Sequence, residues 1–210
     1  MKFVELAGFG LNMLTVAFIA TIVFSLIQLW GLEMQARTIR KLESIESLSV
    51  PCFVYFLFHF VCFVVYGFRA ERLGPVICGL ILGFMHLRVL DVAIDYKARV
   101  SQYLIPAVVG VALVFLALPI LWAQTLMSIL YCVGAAFIVQ VPIEMIRTQK
   151  QGVVSIRWIL TMGASIFFWW VYGLVMKDVV LWVTCLISLI ALSTALALCE
   201  IFKKREVKTP

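Results

Sequence analysis

The side chains best suited to chemistry in this sequence are a few polar groups inside long apolar runs. His59 lies in the middle of residues 47–68, a run without Asp, Glu, Lys or Arg. Ser165 follows 106 positions later in a second uncharged run, residues 158–176. A polar group buried in hydrocarbon is costly unless it is paired or hydrated. These two residues therefore either contact a small polar solute or hydrogen-bond neighbouring helices, and the sequence is compatible with both roles.

The residue patterns do not favour catalysis. The sequence contains no HExxH motif, no glycine-rich phosphate loop after a strand, no Cys/His metal spacing and no plausible Ser/His/Asp set. Its six cysteines form no CxxC pair and all fall in apolar runs, which is typical of packing residues. We therefore predict a protein that is not an enzyme and has neither metal nor cofactor.

The apolar runs predict a membrane protein. The chain is 64% hydrophobic and 13% charged, and its mean hydropathy is +1.11. A spanning helix needs roughly 20 apolar residues. Four uncharged runs meet this length, and a fifth span begins at residue 73 and continues past Arg88 and Asp91 toward Tyr96; the four are residues 6–32, 47–68, 158–176 and 179–199.

Residues 100–143 form an uncharged run that is too long for one helix. As a helix it would extend about 66 Å at ~1.5 Å per residue, twice a hydrocarbon core of ~30 Å. The segment PILWAQT, residues 119–125, is the predicted turn. The fold class predicted is thus an all-α integral membrane protein with seven transmembrane helices.

Basic residues are distributed unevenly between the two ends of these helices. Twelve Lys and Arg residues follow spans 1, 3 and 5 or lie in the C-terminus, and four lie on the other side. Cytosolic loops carry such an excess. We predict an N-terminus that is extracellular, periplasmic or lumenal and a cytosolic C-terminus. Since this asymmetry explains the net charge of +6, the lipid bilayer is an expected partner and nucleic acid is not.

The chain contains an internal repeat with an offset of 106 residues. The offset superposes Ser49 on Ser155, Tyr66 on Tyr172, and Gly67 on Gly173. Spans 1 and 5 begin the two units and run in the same direction, so the units are parallel and span 4 connects them. The predicted divisions are a first triple-helix repeat over 1–99, a linker helix over 100–123, a second repeat over 124–202 and a basic cytosolic tail over 203–210.

The motif MQARTIRKLESIESLSVPCFVYFLFHFVCFVVYG, residues 34–67, resembles the repeat of SWEET (MtN3/saliva) and PQ-loop transporters. That repeat ends its first helix on Pro-Gln, continues through basic residues to a serine, and closes an aromatic-rich helix on Tyr-Gly. Met34-Gln35 occupies the Pro-Gln position here, and the second unit retains Gln140, Pro142 and WWVYG. The resemblance implies two triple-helix bundles in a 3+1+3 arrangement that move a small polar solute, most simply a sugar, by alternating access.

The resemblance also implies solute-binding residues near the membrane midplane. These are His59 and Ser165, which take the place of a pathway-facing asparagine, and Cys78 and Thr184, again 106 positions apart. Trp169 and Trp182 are further candidates, either for stacking on a sugar or for anchoring at the interface.

A second set of residues is implied in hinges and gates. Prolines in membrane helices permit bending, and Pro51 and Pro142 occupy two of the four hinge positions of the family, whereas Met34 and Arg157 replace the others. Pro51 and Pro142 are equally compatible with merely starting or kinking helices. The remaining hinge and gate candidates are Met34, Gln35, Gln140, Tyr66 and Tyr172.

Other assignments remain open at this point. The solute is alternatively an amino acid, a vitamin or a nucleoside, and the KDEL-receptor group provides a non-transporting alternative, whose cavity should contain several charges. Arg88 and Asp91 are expected to pair on one helical face. Glu33, Glu144 and His86 have no assigned role, and a homo-oligomer is compatible with the sequence.

Overall fold

The computed structural model describes residues 3–42, 50–94, 101–149 and 155–206, and these residues form one short and seven long helices. The helices are α1 (Val4–Ala7), α2 (Met13–Leu42), α3 (Val50–Arg69), α4 (Leu73–Ile94), α5 (Ser101–Ala117), α6 (Ile120–Thr148), α7 (Ile156–Val175) and α8 (Val179–Glu206). Helices satisfy their backbone hydrogen bonds internally, which apolar segments in a bilayer require.

Six of the seven long helices are long and apolar enough to cross a membrane. The seventh, α5, has 17 residues, at the lower end of the usual range for a spanning helix. The predicted seven-helix membrane architecture is therefore confirmed, and the chain is a multi-pass membrane protein.

The helix boundaries repeat with the offset found in the sequence. Helices α3 and α7 begin at residues 50 and 156, and helices α4 and α8 begin at residues 73 and 179. In both units the third helix packs against the first and the second, so α4 lies with α2 and α3, and α8 with α6 and α7. Helix α5 packs on α3.

The Tyr-Gly pair closes a hairpin between the second and third helices of each unit. The Arg72 amide donates to the Gly67 carbonyl at 2.8 Å, and the Asp178 amide donates to the Gly173 carbonyl at 2.9 Å. A Cβ on Gly67 would lie 2.8 Å from Val76, so a larger residue would force α3 and α4 apart. The repeated glycine thus permits close packing at the same turn in both units.

Two predicted boundaries and one predicted ion pair are corrected by the structure. The first long helix begins at Met13 rather than at residue 6, because residues 4–7 form the separate helix α1. The turn before α6 occupies only residues 118–119, since Pro119 is the N-cap and residues 120–125 are helical. Arg88 pairs with Glu33 of α2 at 2.9 Å instead of with Asp91, which is exposed.

Candidate functional site

A cavity of about 100 Å³ lies between the two bundles and is lined by residues from α2, α3, α4, α6, α7 and α8. Both repeats surround this cavity, because each of their six long helices contributes at least one lining residue. None of the described residues that line it is Asp, Glu, Lys or Arg. Its polar lining residues are Gln28, His59, Tyr131, Ser165, Thr184 and Ser188. Such a lining favours a neutral solute, since no described side chain would balance a charge.

His59 is held in an aromatic environment at one side of this cavity. The side chain is 8% exposed, and its ring lies 5.5 Å from Phe60 and 5.6 Å from Tyr131, centroid to centroid. Its Nδ1 is 3.3 Å from the Tyr55 hydroxyl, which also donates to the Leu130 carbonyl of α6. Packing on several rings fixes the imidazole of His59 in the cavity lining.

The second unit contributes hydroxyl groups. Ser165 is 1% exposed and lines the cavity, as does Thr184. The Thr184 hydroxyl donates to the Val180 carbonyl at 2.8 Å, and the Ser188 hydroxyl donates to the Thr184 carbonyl at 2.8 Å. Both hydroxyls therefore donate within their own helix, and their oxygens are left mainly as hydrogen-bond acceptors.

Two contacts join residues that the repeat makes equivalent. The rings of Phe63 and Trp169 are 5.1 Å apart, and Arg72 Nη1 lies 3.0 Å from Asp178 Oδ2. Equivalent positions can touch only close to the axis that relates the two units. Trp169 also lines the cavity, so the pseudo-twofold axis passes beside it.

A second cavity of about 250 Å³ lies at the end of the bundle where α3 and α7 finish. Arg72 and Asp178 line this second cavity, which we call the vestibule. Tyr131 lines both the vestibule and the central cavity. Burial opposes the charge on Arg72, but the nearby Tyr66 phenol and the Asp178 carboxylate outweigh it and raise the pKa of the guanidinium. The Arg72 guanidinium therefore stays charged, and its contact with Asp178 links the bundles at this end.

The remaining solute-binding candidates lie elsewhere. Cys78 is fully buried in α4 and Trp182 packs beside Gly173, and neither lines the central cavity. The sequence signal for Cys78 is the repeat offset and that for Trp182 is its aromatic side chain, and neither signal says which way a side chain points.

The hinge and gate candidates fall at both ends of the helices. Pro142 is buried inside α6 and Gln140 is exposed on it; Gln35 is buried in α2, and Pro51 is the second residue of α3. Met34 Sδ lies 3.7 Å from Arg157 Nη1 of α7, which joins the bundles at the opposite end from the vestibule. Tyr66 lines the vestibule.

Tyr172 takes part in a buried network that the sequence analysis did not predict. Its hydroxyl donates to Glu5 Oε1 at 2.7 Å, and the Leu73 and Gly74 amides donate to the same carboxylate at 2.9 and 3.0 Å. Glu5 is fully buried. A carboxylate at the N-terminus of α4 satisfies amides that have no partner within that helix, so α1 ties α4 of the first bundle to α7 of the second.

At the end of the helices opposite the vestibule, charged side chains pair within the first bundle. Glu33 of α2 accepts hydrogen bonds from Arg37 at 3.1 Å and from Arg88 of α4 at 2.9 Å. Glu144 is exposed on α6. His86 is buried beside the Leu82 carbonyl at 2.8 Å and outside the cavity lining.

A solved structure of a eukaryotic SWEET transporter has the same fold. It matches with a TM-score of 0.72, covering 91% of this chain and 97% of that chain at 19% sequence identity. No protein-family model and no curated protein sequence matches the chain. The predicted 3+1+3 fold and its SWEET-like architecture are therefore confirmed by three-dimensional similarity, where sequence comparison shows nothing.

Proposed function

We propose that this protein transports a small neutral polar solute, with a sugar as the first candidate, by alternating access between its two bundles. The observation that carries the proposal is the uncharged, aromatic and hydroxyl-bearing cavity lined by both repeats. Transporters built from repeats bind solutes near the midplane at the repeat interface. The similarity in fold to a SWEET transporter supports the same class of activity.

We propose His59, Ser165, Thr184 and Trp169 as the solute-contacting residues, because all four line this cavity. Trp169 offers an aromatic face for stacking on a sugar ring. Cys78 and Trp182 are not retained as direct contacts, since they lie outside the lining.

The lining also supports transport over the alternative classes. A receptor for charged peptide tails, or a carrier of zwitterionic amino acids, would need charged partners in its cavity. None of the described lining residues provides one. A nucleoside remains compatible with the lining, since it is neutral and aromatic.

The test is a solute screen on the purified protein followed by uptake into proteoliposomes. A ligand at 100 times its dissociation constant should stabilise the protein by about 2.7 kcal/mol. We expect D-glucose or another neutral sugar to raise the unfolding temperature and to enter proteoliposomes, and L-glutamate to do neither. Stabilisation by charged solutes alone would contradict the proposal.

A further inference from the structure

The buried side-chain amide of Gln28 indicates a role in solute recognition. It lies at the middle of α2 (Met13–Leu42), is 4% exposed, and lines the central cavity. Its side chain has no hydrogen-bond partner among the described residues. Buried polar groups in proteins are nearly always paired, and an unpaired one requires an explanation. An amide open to a cavity and left without a protein partner is available for a ligand.

The second unit has no amide equivalent to that of Gln28. The residue 106 positions after Gln28 is Gly134 of α6, which also lines the cavity but has no side chain. The space beside Gly134 is occupied by Tyr55, whose hydroxyl would lie 3.4 Å from a Cβ at that position. The cavity is therefore asymmetric, with the only amide side chain of its described lining on the first unit.

An amide side chain offers donors and an acceptor at adjacent atoms. We infer that Gln28 is a specificity-determining residue that binds a neutral solute through an adjacent donor and acceptor, as in the vicinal hydroxyls of a sugar or the lactam edge of a nucleobase. This inference rests on the proposed function. Uncommitted groups on His59 and Ser165 line the same cavity, so one solute is held from both units.

The test uses the full chain and the variant Gln28→Met, which keeps the length of the side chain and removes its hydrogen bonds. Without solute, we expect the unfolding temperature to rise by about 2–4 °C, because an unpaired buried amide is replaced by an apolar group. With D-glucose and uridine as the two probes, whichever binds the wild type should bind the variant roughly 5- to 150-fold more weakly.

The matched control is Thr21→Val, two turns earlier on α2. Thr21 is fully buried, but its hydroxyl donates to the Phe18 carbonyl at 2.7 Å and lies outside the cavity lining. We expect this variant to keep the affinity of the wild type. Gln28→Asn, which retains the amide, should recover part of the binding that Gln28→Met loses.

The outcomes separate this inference from the proposed function. If neither probe stabilises the wild type, the proposed solute class is contradicted. The unfolding temperature of Gln28→Met without solute still tests whether the Gln28 amide lacks a partner in the protein. A lower unfolding temperature for Gln28→Met would show that the amide has a structural partner and would overturn the inference. Unchanged affinity of Gln28→Met for a probe that binds the wild type would overturn it as well.

Discussion

At the scale of single residues, the two units have diverged in chemistry while keeping their positions. His59 and Ser165 both line the cavity, yet one presents an imidazole within a group of aromatic rings and the other a small hydroxyl. Gln28 and Gly134 differ still more. For the solute binding that we propose, we expect such differences to favour one orientation of the solute, because the bundles are pseudo-symmetric but a solute is not.

His59→Ala should weaken solute binding by roughly 1–3 kcal/mol, the usual cost of leaving a buried partner unpaired. The measurement is calorimetric titration with the sugar that stabilises the wild type. His86→Ala is a matched control, because His86 is a buried histidine outside the cavity lining. Both variants should lose stability, but only the first should lose affinity, and equal affinities would assign His59 to packing.

The Arg72–Asp178 pair predicts a gate at the vestibule end. Arg72→Gln or Asp178→Asn leaves one partly buried charge without its partner, which destabilises the closed state of that end. We expect either variant to change the rate of sugar exchange in proteoliposomes while equilibrium affinity stays within about twofold of the wild type.

Exchanging the two charges in one chain, Arg72→Asp with Asp178→Arg, is the control for the gate. The pair spans equivalent positions close to the axis, so the reversed pair should recover much of the exchange rate. If the single variants and the reversed pair exchange sugar at the wild-type rate, the pair is only a surface contact.

At the scale of elements, the short helix α1 fastens the vestibule end. Its Glu5 carboxylate accepts two amide hydrogen bonds at the start of α4 and one from Tyr172 of α7. The segment before the first long helix therefore has a structural role, which its length alone would not indicate.

Glu5→Ala should lower the free energy of unfolding by about 1–3 kcal/mol, because it leaves two amides and a buried hydroxyl without their acceptor. Thermal unfolding of the purified protein measures this. Glu144→Ala removes an exposed carboxylate from α6 and should change stability little. Tyr172→Phe should cost less than Glu5→Ala, and the effects of the two should not add, since they remove a shared bond.

The prolines of α3 and α6 predict hinges. Pro142 is buried within α6 and leaves a helical carbonyl without an amide donor, which permits bending. Pro51→Ala and Pro142→Ala should slow transport and preserve folding and solute binding. Pro106→Ala in α5, which belongs to neither unit, is the control. Loss of folded protein, or unchanged rates, would leave both prolines as simple helix starts or kinks.

At the scale of the whole molecule, the two bundles meet at two helix–helix interfaces of unequal extent. Helix α2 packs closely on α7, where a Cβ on Gly31 would collide with Thr161, whereas α3 and α6 meet over a smaller area. Under the proposed alternating-access mechanism, we predict that the α2–α7 interface is the pivot and that the α3–α6 interface opens.

The orientation of the molecule is a separate prediction. From the charge asymmetry we predict that the vestibule end, with Arg69, Arg72 and Lys177, faces the side opposite the cytosol. Epitope tags at the two termini of the protein in intact cells should be accessible from outside at the N-terminus only. Accessibility of the C-terminal tag instead would reverse the orientation and place the vestibule in the cytosol.

The sequence by itself determined the architecture, because the cost of burying charge and of leaving backbone unpaired in hydrocarbon acts on every residue of a spanning segment. Long apolar runs predict seven long helices, and the fixed offset predicts two parallel units with Tyr-Gly at equivalent turns. Local composition is sufficient for the spans, and comparing positions 106 residues apart is sufficient for the repeat, so neither feature depends on knowing which helices pack together.

Only the tertiary structure decided which polar residues share a cavity. Gln28 and Tyr131 line it although no motif marks them, while Cys78 and Trp182 do not. Arg88 pairs with Glu33 across two helices rather than with Asp91 nearby. The direction of a side chain depends on the rotation of its helix against its neighbours, which is set by packing between residues far apart in the chain.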